Sequence, residues 1–375
     1  MGMNDSALRP FRIDVPQANL DDLQERLARV RWPDELPAGG WDYGVPLEYV
    51  KELVDHWRTS FDWRGVEARL NEHDQFTTTI DGQNVYFIHA RSPDPDALAL
   101  IATHGWPLSV VDYADLIGPL TDPRAHGGDP ADAFHLVVPA MPGAGFSGPT
   151  TEAGWDMARV ARASVELMAR LGYERYGAHG NDSGSMISPE IGRHDPEHVV
   201  GVHVTQLFSF PSGDPAEFAD LSEEDAAAMK FLEEFTARGG LAYNAYQSAQ
   251  PQTLAYALQD SPVGWLAWIM QLFQHAVDRD YILTCASMYW LTGTIASSMR
   301  YYHAEARAQE PTEPTTAPTG VAMFAEDFQS IRRFADRDHA NIVHWRHYHR
   351  GSHFSPRDAP DELVSDVREF FRPLR

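Results

Sequence analysis

Apolar residues along this chain change their spacing three times, and each change marks a new kind of element. Between Phe11 and Gly65 they recur at helical intervals: Leu20, Leu23, Leu27 and Val30 form one stripe, and Leu47, Val50, Leu53, Val54 and Trp57 a second. Asn19 or Asp21 can cap the first helix, and Trp32-Pro33 ends it. Both stripes read as packing surfaces. From Phe76 the pattern becomes extended. Phe76–Ile80 and Val85–His89 flank Asp81-Gly82, the signature of a hairpin. Leu98–Thr103 and His135–Pro139 are short apolar runs of the kind a buried parallel strand requires, and strand-like segments follow at Val199–Val204, Gly320–Phe324 and Asn341–Trp345. Leu171–Ala178 can supply another strand, and Met186–Ile191 can begin a helix. Between Ser209 and Thr316 the β pattern vanishes and aromatic-rich helices replace it, among them Phe231, Phe235, Trp265, Trp268, Phe273, Tyr289 and Trp290. Glu310–Thr316 is a Pro/Thr-rich return linker.

Strands alternating with helices imply a doubly wound α/β sheet, and an all-helical insertion between late strands reads as a lid over the active site. The expected division is an N-terminal helical extension over 1–70, a first part of the core over 71–208, the lid over 209–316 and the last part of the core over 317–375. A chain of 375 residues is long enough for one large domain with such an insertion. Its net charge of −24 argues against nucleic acid or an anionic membrane as partner. The single cysteine, Cys285, excludes an intrachain disulfide and fits a reducing cytoplasm. No run approaches the roughly 20 apolar residues of a spanning helix, and Met1–Ser6 has neither a signal pattern nor an acylation motif. A cytoplasmic protein without a membrane anchor is expected. The pattern does not choose between a monomer and a homodimer.

The chemistry concentrates at His179-Gly180-Asn181-Asp182-Ser183-Gly184. Only the frame centred on Asp182 has glycine at both −2 and +2, the pattern of a nucleophile elbow, in which a strained strand-to-helix turn thrusts one side chain outward. An aspartate there attacks carbon and becomes an ester. A Ser183 nucleophile is disfavoured, because that frame places Asn181 and Ser185 at the flanks. Three further points lie at strand ends, where open α/β sheets keep their sites. His104-Gly105-Trp106-Pro107 can turn the Trp106 N–H toward an oxyanion beside the Ser183 N–H. Asp327 follows the strand ending at Phe324, with Glu326 as the reserve acid, and His353 follows the last strand. The order Asp182, Asp327, His353 is nucleophile, acid, histidine. No acid follows Val199–Val204, where Thr205-Gln206 stand. His339, His344, His347 and His349 crowd near His353 but alternate with Trp345, Arg346 and Tyr348 without carboxylate or cysteine partners, so no metal site is expected. His179 reads as structural and His104 as a turn stabiliser.

These motifs together resemble the microsomal-type epoxide hydrolases of the α/β-hydrolase superfamily over nearly the whole chain. Five segments carry the resemblance in order: His104–Pro107, Pro142-Gly143-Ala144-Gly145-Phe146-Ser147, the elbow at Asp182, Asp260-Ser261-Pro262-Val263-Gly264, and Gly351-Ser352-His353-Phe354. The resemblance implies an α/β-hydrolase fold with a mostly helical lid and an N-terminal helical extension. It also implies hydrolysis of a hydrophobic epoxide to a vicinal diol through an aspartyl ester, without a cofactor. Its ring-opening tyrosines carry over to Tyr243 and Tyr302, with Tyr246 and Tyr301 as alternatives in register. One departure is Ser183, where the family has an aromatic residue after the nucleophile. Haloalkane or haloacid dehalogenases use the same nucleophile and remain the nearest alternative; a silent ligand-binding homologue is the alternative outside the enzymes.

Overall fold

In the computed structural model, which describes residues 7–37, 39–219, 221–273, 277–309 and 311–375, nine strands form a single sheet. Met1–Ser6, on which the reading of the N-terminus rests, lie outside the described residues, as does Glu310 of the linker. The strands are β1 (Arg9–Phe11), β2 (Gln75–Ile80), β3 (Gln83–Ala90), β4 (Leu98–Thr103), β5 (Phe134–Pro139), β6 (Tyr176–Gly180), β7 (Val199–Val204), β8 (Thr319–Met323) and β9 (Ile342–His347). Their order in space is β1-β2-β3-β5-β4-β6-β7-β8-β9. The first three and the β3–β5 pair are antiparallel; from β5 to β9 all pairs are parallel. Every residue of β4, β6 and β8 is buried, which in β4 explains the apolar run Leu98–Ala102. Asp81 (φ 51°) and Gly82 (φ 71°) turn the β2–β3 hairpin with both φ values positive, as a two-residue loop demands. This is the α/β-hydrolase arrangement.

Four readings of the N-terminal half are corrected. The first helix spans Gln17–Ala28 and follows Pro16, with no side-chain cap from Asn19 or Asp21. It ends at Ala28, ahead of Trp32-Pro33, while its stripe is a packing surface as read, with Leu23 and Leu27 in the core and Leu20 and Val30 partly buried against it. Arg9–Phe11 is a strand, made by pairing with Gln75–Thr77 and too short for any periodicity to reveal. The elbow strand begins only at Tyr176, because Leu171-Gly172 close the helix Met157–Arg170.

Helices Leu47–Thr59 and Trp63–Leu70 complete the N-terminal region. With Gln17–Ala28 they pack onto helices of the segment between β7 and β8, where Trp57 Nε1 donates to Ser287 Oγ at 2.9 Å and Arg26, on the first helix, donates to the Asp260 carbonyl at 2.8 Å. That segment carries the helices Glu223–Ala237, Ala242–Ala249, Pro251–Asp260, Pro262–Phe273, Arg279–Thr292, Ile295–Ser298 and Arg300–Glu305. From this segment Ser298 Oγ meets the Trp106 indole just after β4, and the Tyr301 hydroxyl meets Ser183 Oγ just after β6. Among the described residues no helix is long and apolar enough to cross a membrane.

Candidate active site

Close approach of backbone fixes the elbow. Asp182 follows β6 with φ 55° and ψ −122° and opens the helix Ser183–His194. A Cβ at Gly180 would lie 1.9 Å from the Gly184 carbonyl oxygen, and one at Gly184 would lie 1.9 Å from that of Thr103. The turn therefore closes only with hydrogen at both positions. Gly105 is constrained by the Asp182 side chain itself, since its Cβ would fall 2.0 Å from Asp182 Oδ1.

The two carboxylate oxygens of Asp182 sit in different surroundings. Oδ1 accepts from Trp106 N at 2.8 Å and from Ser183 Oγ at 3.0 Å. Oδ2 lies 3.3 Å from His353 Nε2. Burial pushes the Asp182 pKa up, but His353 and the Trp106 and Ser183 N–H groups outweigh it, and the carboxyl titrates below its ordinary range. His353 Nδ1 is 2.8 Å from Asp327 Oδ1. Burial alone would lower the imidazole pKa; Asp327 and Asp182 on either side raise it well above its ordinary value. Asp327, Asp182 and His353 thus meet at the ends of β8, β6 and β9. Glu326 is exposed and its backbone pairs with Ser352.

His104 pins the turn that carries Trp106. It is fully buried, with Nδ1 2.7 Å from the Gly105 carbonyl and Nε2 accepting from Met141 N at 3.3 Å, and burial lowers its pKa to about 4. The Trp106 indole donates to Ser298 Oγ at 3.1 Å and forms one wall of an aromatic cage. Tyr243 stacks on it at 5.8 Å, Tyr302 stands edge-on at 5.6 Å, and the two tyrosine rings cross at 6.0 Å. Tyr246, the alternative to Tyr243, is 42% exposed and lies against Trp268. Tyr301 is stacked under Tyr302 with its hydroxyl 3.1 Å from Ser183 Oγ.

Two polar residues were not singled out from sequence. Gln206, fully buried just after β7, accepts from Asp182 N at 3.1 Å through Oε1 and donates to Asp327 Oδ2 through Nε2. Asn181 donates to the His353 carbonyl at 3.0 Å and accepts from Thr205 Oγ1 at 2.8 Å. The available signal was position: a polar side chain directly after a buried strand, at the sheet end that holds the site. Several other histidines have polar partners, and for His344 and His347 these are carboxylates, which corrects the reading that this cluster has none. His203 and His344 each set Nε2 against the buried Asp366, at 2.8 and 2.9 Å, and His179 Nδ1 meets His203 Nδ1 at 3.0 Å. His339 contacts Thr315 Oγ1 and His347 contacts Glu224. Among the described residues no group of three or more His, Cys, Asp or Glu side chains is arranged to hold a metal ion.

The segment 8–113 matches the family model described as epoxide hydrolase N terminus. A Stigmatella aurantiaca protein assigned by name to the epoxide hydrolases is 40% identical over 98% of this chain and 86% of its own length. The chain belongs to the epoxide hydrolase family. Epoxide hydrolase 1 of Sus scrofa, a mammalian member, is 29% identical over 98% of this chain and 89% of its own. The structure of Aspergillus niger epoxide hydrolase superposes with a TM-score of 0.86 at 28% identity, covering 98% of this chain and 97% of that one. These epoxide hydrolases span both the N-terminal helices and the lid-like segment, so the likeness extends beyond the sheet.

Proposed function

We propose that the chain opens an epoxide on an apolar molecule, aryl or natural-product-like, to a vicinal diol by way of an ester on Asp182. The observation that carries this reading is the split environment of the carboxylate, with Oδ1 held by the Trp106 N–H at 2.8 Å and Oδ2 facing His353 Nε2 at 3.3 Å. Oδ2 attacks one epoxide carbon and the ring C–O bond breaks. Tyr243 and Tyr302 bond the ring oxygen, and one gives its proton to the alkoxide. Burial raises the pKa of both hydroxyls, so they are protonated at neutral pH.

The ester carries no charge, so the first step removes one of the two carboxylates that keep His353 protonated. The imidazolium can then return a proton to the tyrosine and, now neutral and oriented by Asp327, take one from water. That water attacks Asp182 Cγ. The backbone N–H groups of Trp106 and Ser183 stabilise the oxyanion on Oδ1, at about 3–4 kcal/mol for a good donor. Collapse releases Oδ2 with the diol, His353 supplies the proton its alkoxide needs, and the second proton of the attacking water passes from Asp182 back to His353.

In this reading residues 209–316 form the lid that carries both tyrosines, residues 1–70 brace it, and 71–208 with 317–375 make the core. No cofactor takes part, and the buried Cys285 suits a cytoplasmic location. A dehalogenase would share the nucleophile but use indole N–H groups to hold the departing halide. Those of Trp106, Trp265 and Trp268 are engaged by Ser298 Oγ, the Ala286 carbonyl and Gln247 Oε1. In a single turnover in heavy-oxygen water, the label is expected in the Asp182 carboxylate. Its immediate appearance in the diol would refute the ester.

A further inference from the structure

The residue after the nucleophile contributes more than a backbone donor. Ser183 is 5% exposed, and its hydroxyl lies 3.0 Å from Asp182 Oδ1 and 3.1 Å from the Tyr301 hydroxyl. A serine has one proton to give. The ionised carboxylate can only accept, so that proton points at Oδ1, and Tyr301 must then be the donor to Ser183 Oγ. Tyr301 is held for this task. It is 6% exposed and stacked on Tyr302 at 4.3 Å, and burial raises its pKa so that it keeps its proton.

We propose that the Ser183 hydroxyl, oriented by Tyr301, is a third donor to the oxyanion on Asp182 Oδ1 and is catalytic for hydrolysis of the ester, not for its formation. The inference rests on the covalent reading above. Its physical basis is the direction in which charge moves. In the resting enzyme Oδ1 carries part of the carboxylate charge. During alkylation that charge leaves, so a donor on Oδ1 stabilises the starting state more than the transition state. During hydrolysis full charge arrives on Oδ1, and the same donor stabilises the transition state. Oδ2, next to His353 and outside this donor set, is the oxygen left to attack carbon. Tyr301 acts through Ser183 and is a positioning residue, distinct from its neighbour Tyr302, which faces Tyr243 and Trp106. A small hydroxyl residue with a tyrosine hydroxyl beside it thus occupies the place where the resemblance leads one to expect an aromatic side chain.

The test separates the two chemical steps in single turnovers of styrene oxide, with acid quench and intact mass of the protein to count the ester. Ser183→Ala is expected to slow hydrolysis by about 10-fold or more, with alkylation unchanged or faster, so that ester accumulates. Ser183→Thr should restore hydrolysis, because it keeps the hydroxyl. Tyr301→Phe should shift the balance in the same direction by a smaller factor, and it serves as the independent variant if Ser183→Ala folds poorly. Equal slowing of both steps, or hydrolysis within twofold of wild type in both Ser183→Ala and Tyr301→Phe, overturns the proposal. If wild type itself forms no ester, the covalent reading fails first and this inference falls with it.

Discussion

Asp182 and His353 set each other's charge. The imidazolium keeps the carboxylate ionised despite its burial, and the carboxylate, with Asp327, keeps the imidazole protonated. In the proposed mechanism alkylation uses the carboxylate and hydrolysis needs the neutral imidazole. The two steps therefore answer acid differently. Because the Asp182 pKa is lowered, alkylation should persist as pH falls through the ordinary aspartate value of about 3.9. In the ester the Asp182 charge is gone and only Asp327 still supports the imidazolium, yet protonation of His353 then removes the base. Hydrolysis should accordingly fail at higher pH than alkylation, and ester should build up in mildly acidic buffer. Quenched-flow measurement of both rate constants across the acid range checks this. A common acid limb for the two steps would show that the pair is not coupled as drawn. The Gln206 amide holds both halves of the arrangement, joining the Asp182 backbone to Asp327.

At the scale of elements, the elbow depends on where β6, β4 and the following helix touch. Gly184 is buried against the Thr103 carbonyl at the end of β4, so the Gly184→Ala methyl can fit only if helix and strand separate. That substitution is expected to cost about 1–3 kcal/mol as overpacking. It should also reduce turnover by about 100-fold, since a displacement near 1 Å at the nucleophile is enough. Thermal unfolding and diol formation measured on the same preparation read both effects; a fully active, equally stable variant would contradict the geometry. The C-terminal helix Pro360–Phe371 shows the same logic on the other side of the sheet. Its Phe371 and Phe370 lie where Cβ atoms at Gly177 and Gly320 would stand, at 2.4 and 2.5 Å.

The whole molecule hangs partly on one buried charge. Asp366 is fully buried between His203, His344 and Tyr348, with hydrogen bonds of 2.8, 2.9 and 2.6 Å that tie the C-terminal helix to β7 and β9. Burial raises its pKa, but these partners hold it far below the ordinary carboxylate range. A depressed folded value gives stability that is complete above the unfolded pKa and lost as pH falls through the folded one. Asp366→Ala should therefore lose about 3–5 kcal/mol at neutral pH, the cost of leaving buried partners uncompensated. The deficit should shrink as pH falls below about 4. Urea unfolding at neutral and acidic pH measures it, and a constant deficit would place the effect outside the charge.

The strands β4 and β7 could be read to the residue and the elbow to its central aspartate. Local signals suffice for them: continuous burial writes an apolar run, and close backbone contact demands glycine. The order of the strands, the pairing of Arg9–Phe11 with β2, and the joining of Asp182, Asp327 and His353 depend on contacts between residues far apart in sequence. So do the tasks of Gln206, Asn181 and Asp366, whose side chains look ordinary until their partners arrive. By itself the sequence determined the candidate nucleophile, the chain order of the candidate site residues and the class of sheet, because each follows from spacing and residue type. Only the tertiary structure decided which tyrosine faces which partner, and that the Ser183 hydroxyl stands 3.0 Å from Asp182 Oδ1 and 3.1 Å from the Tyr301 hydroxyl. Those assignments turn on distances of about 3 Å between separate elements, beyond the reach of any local pattern.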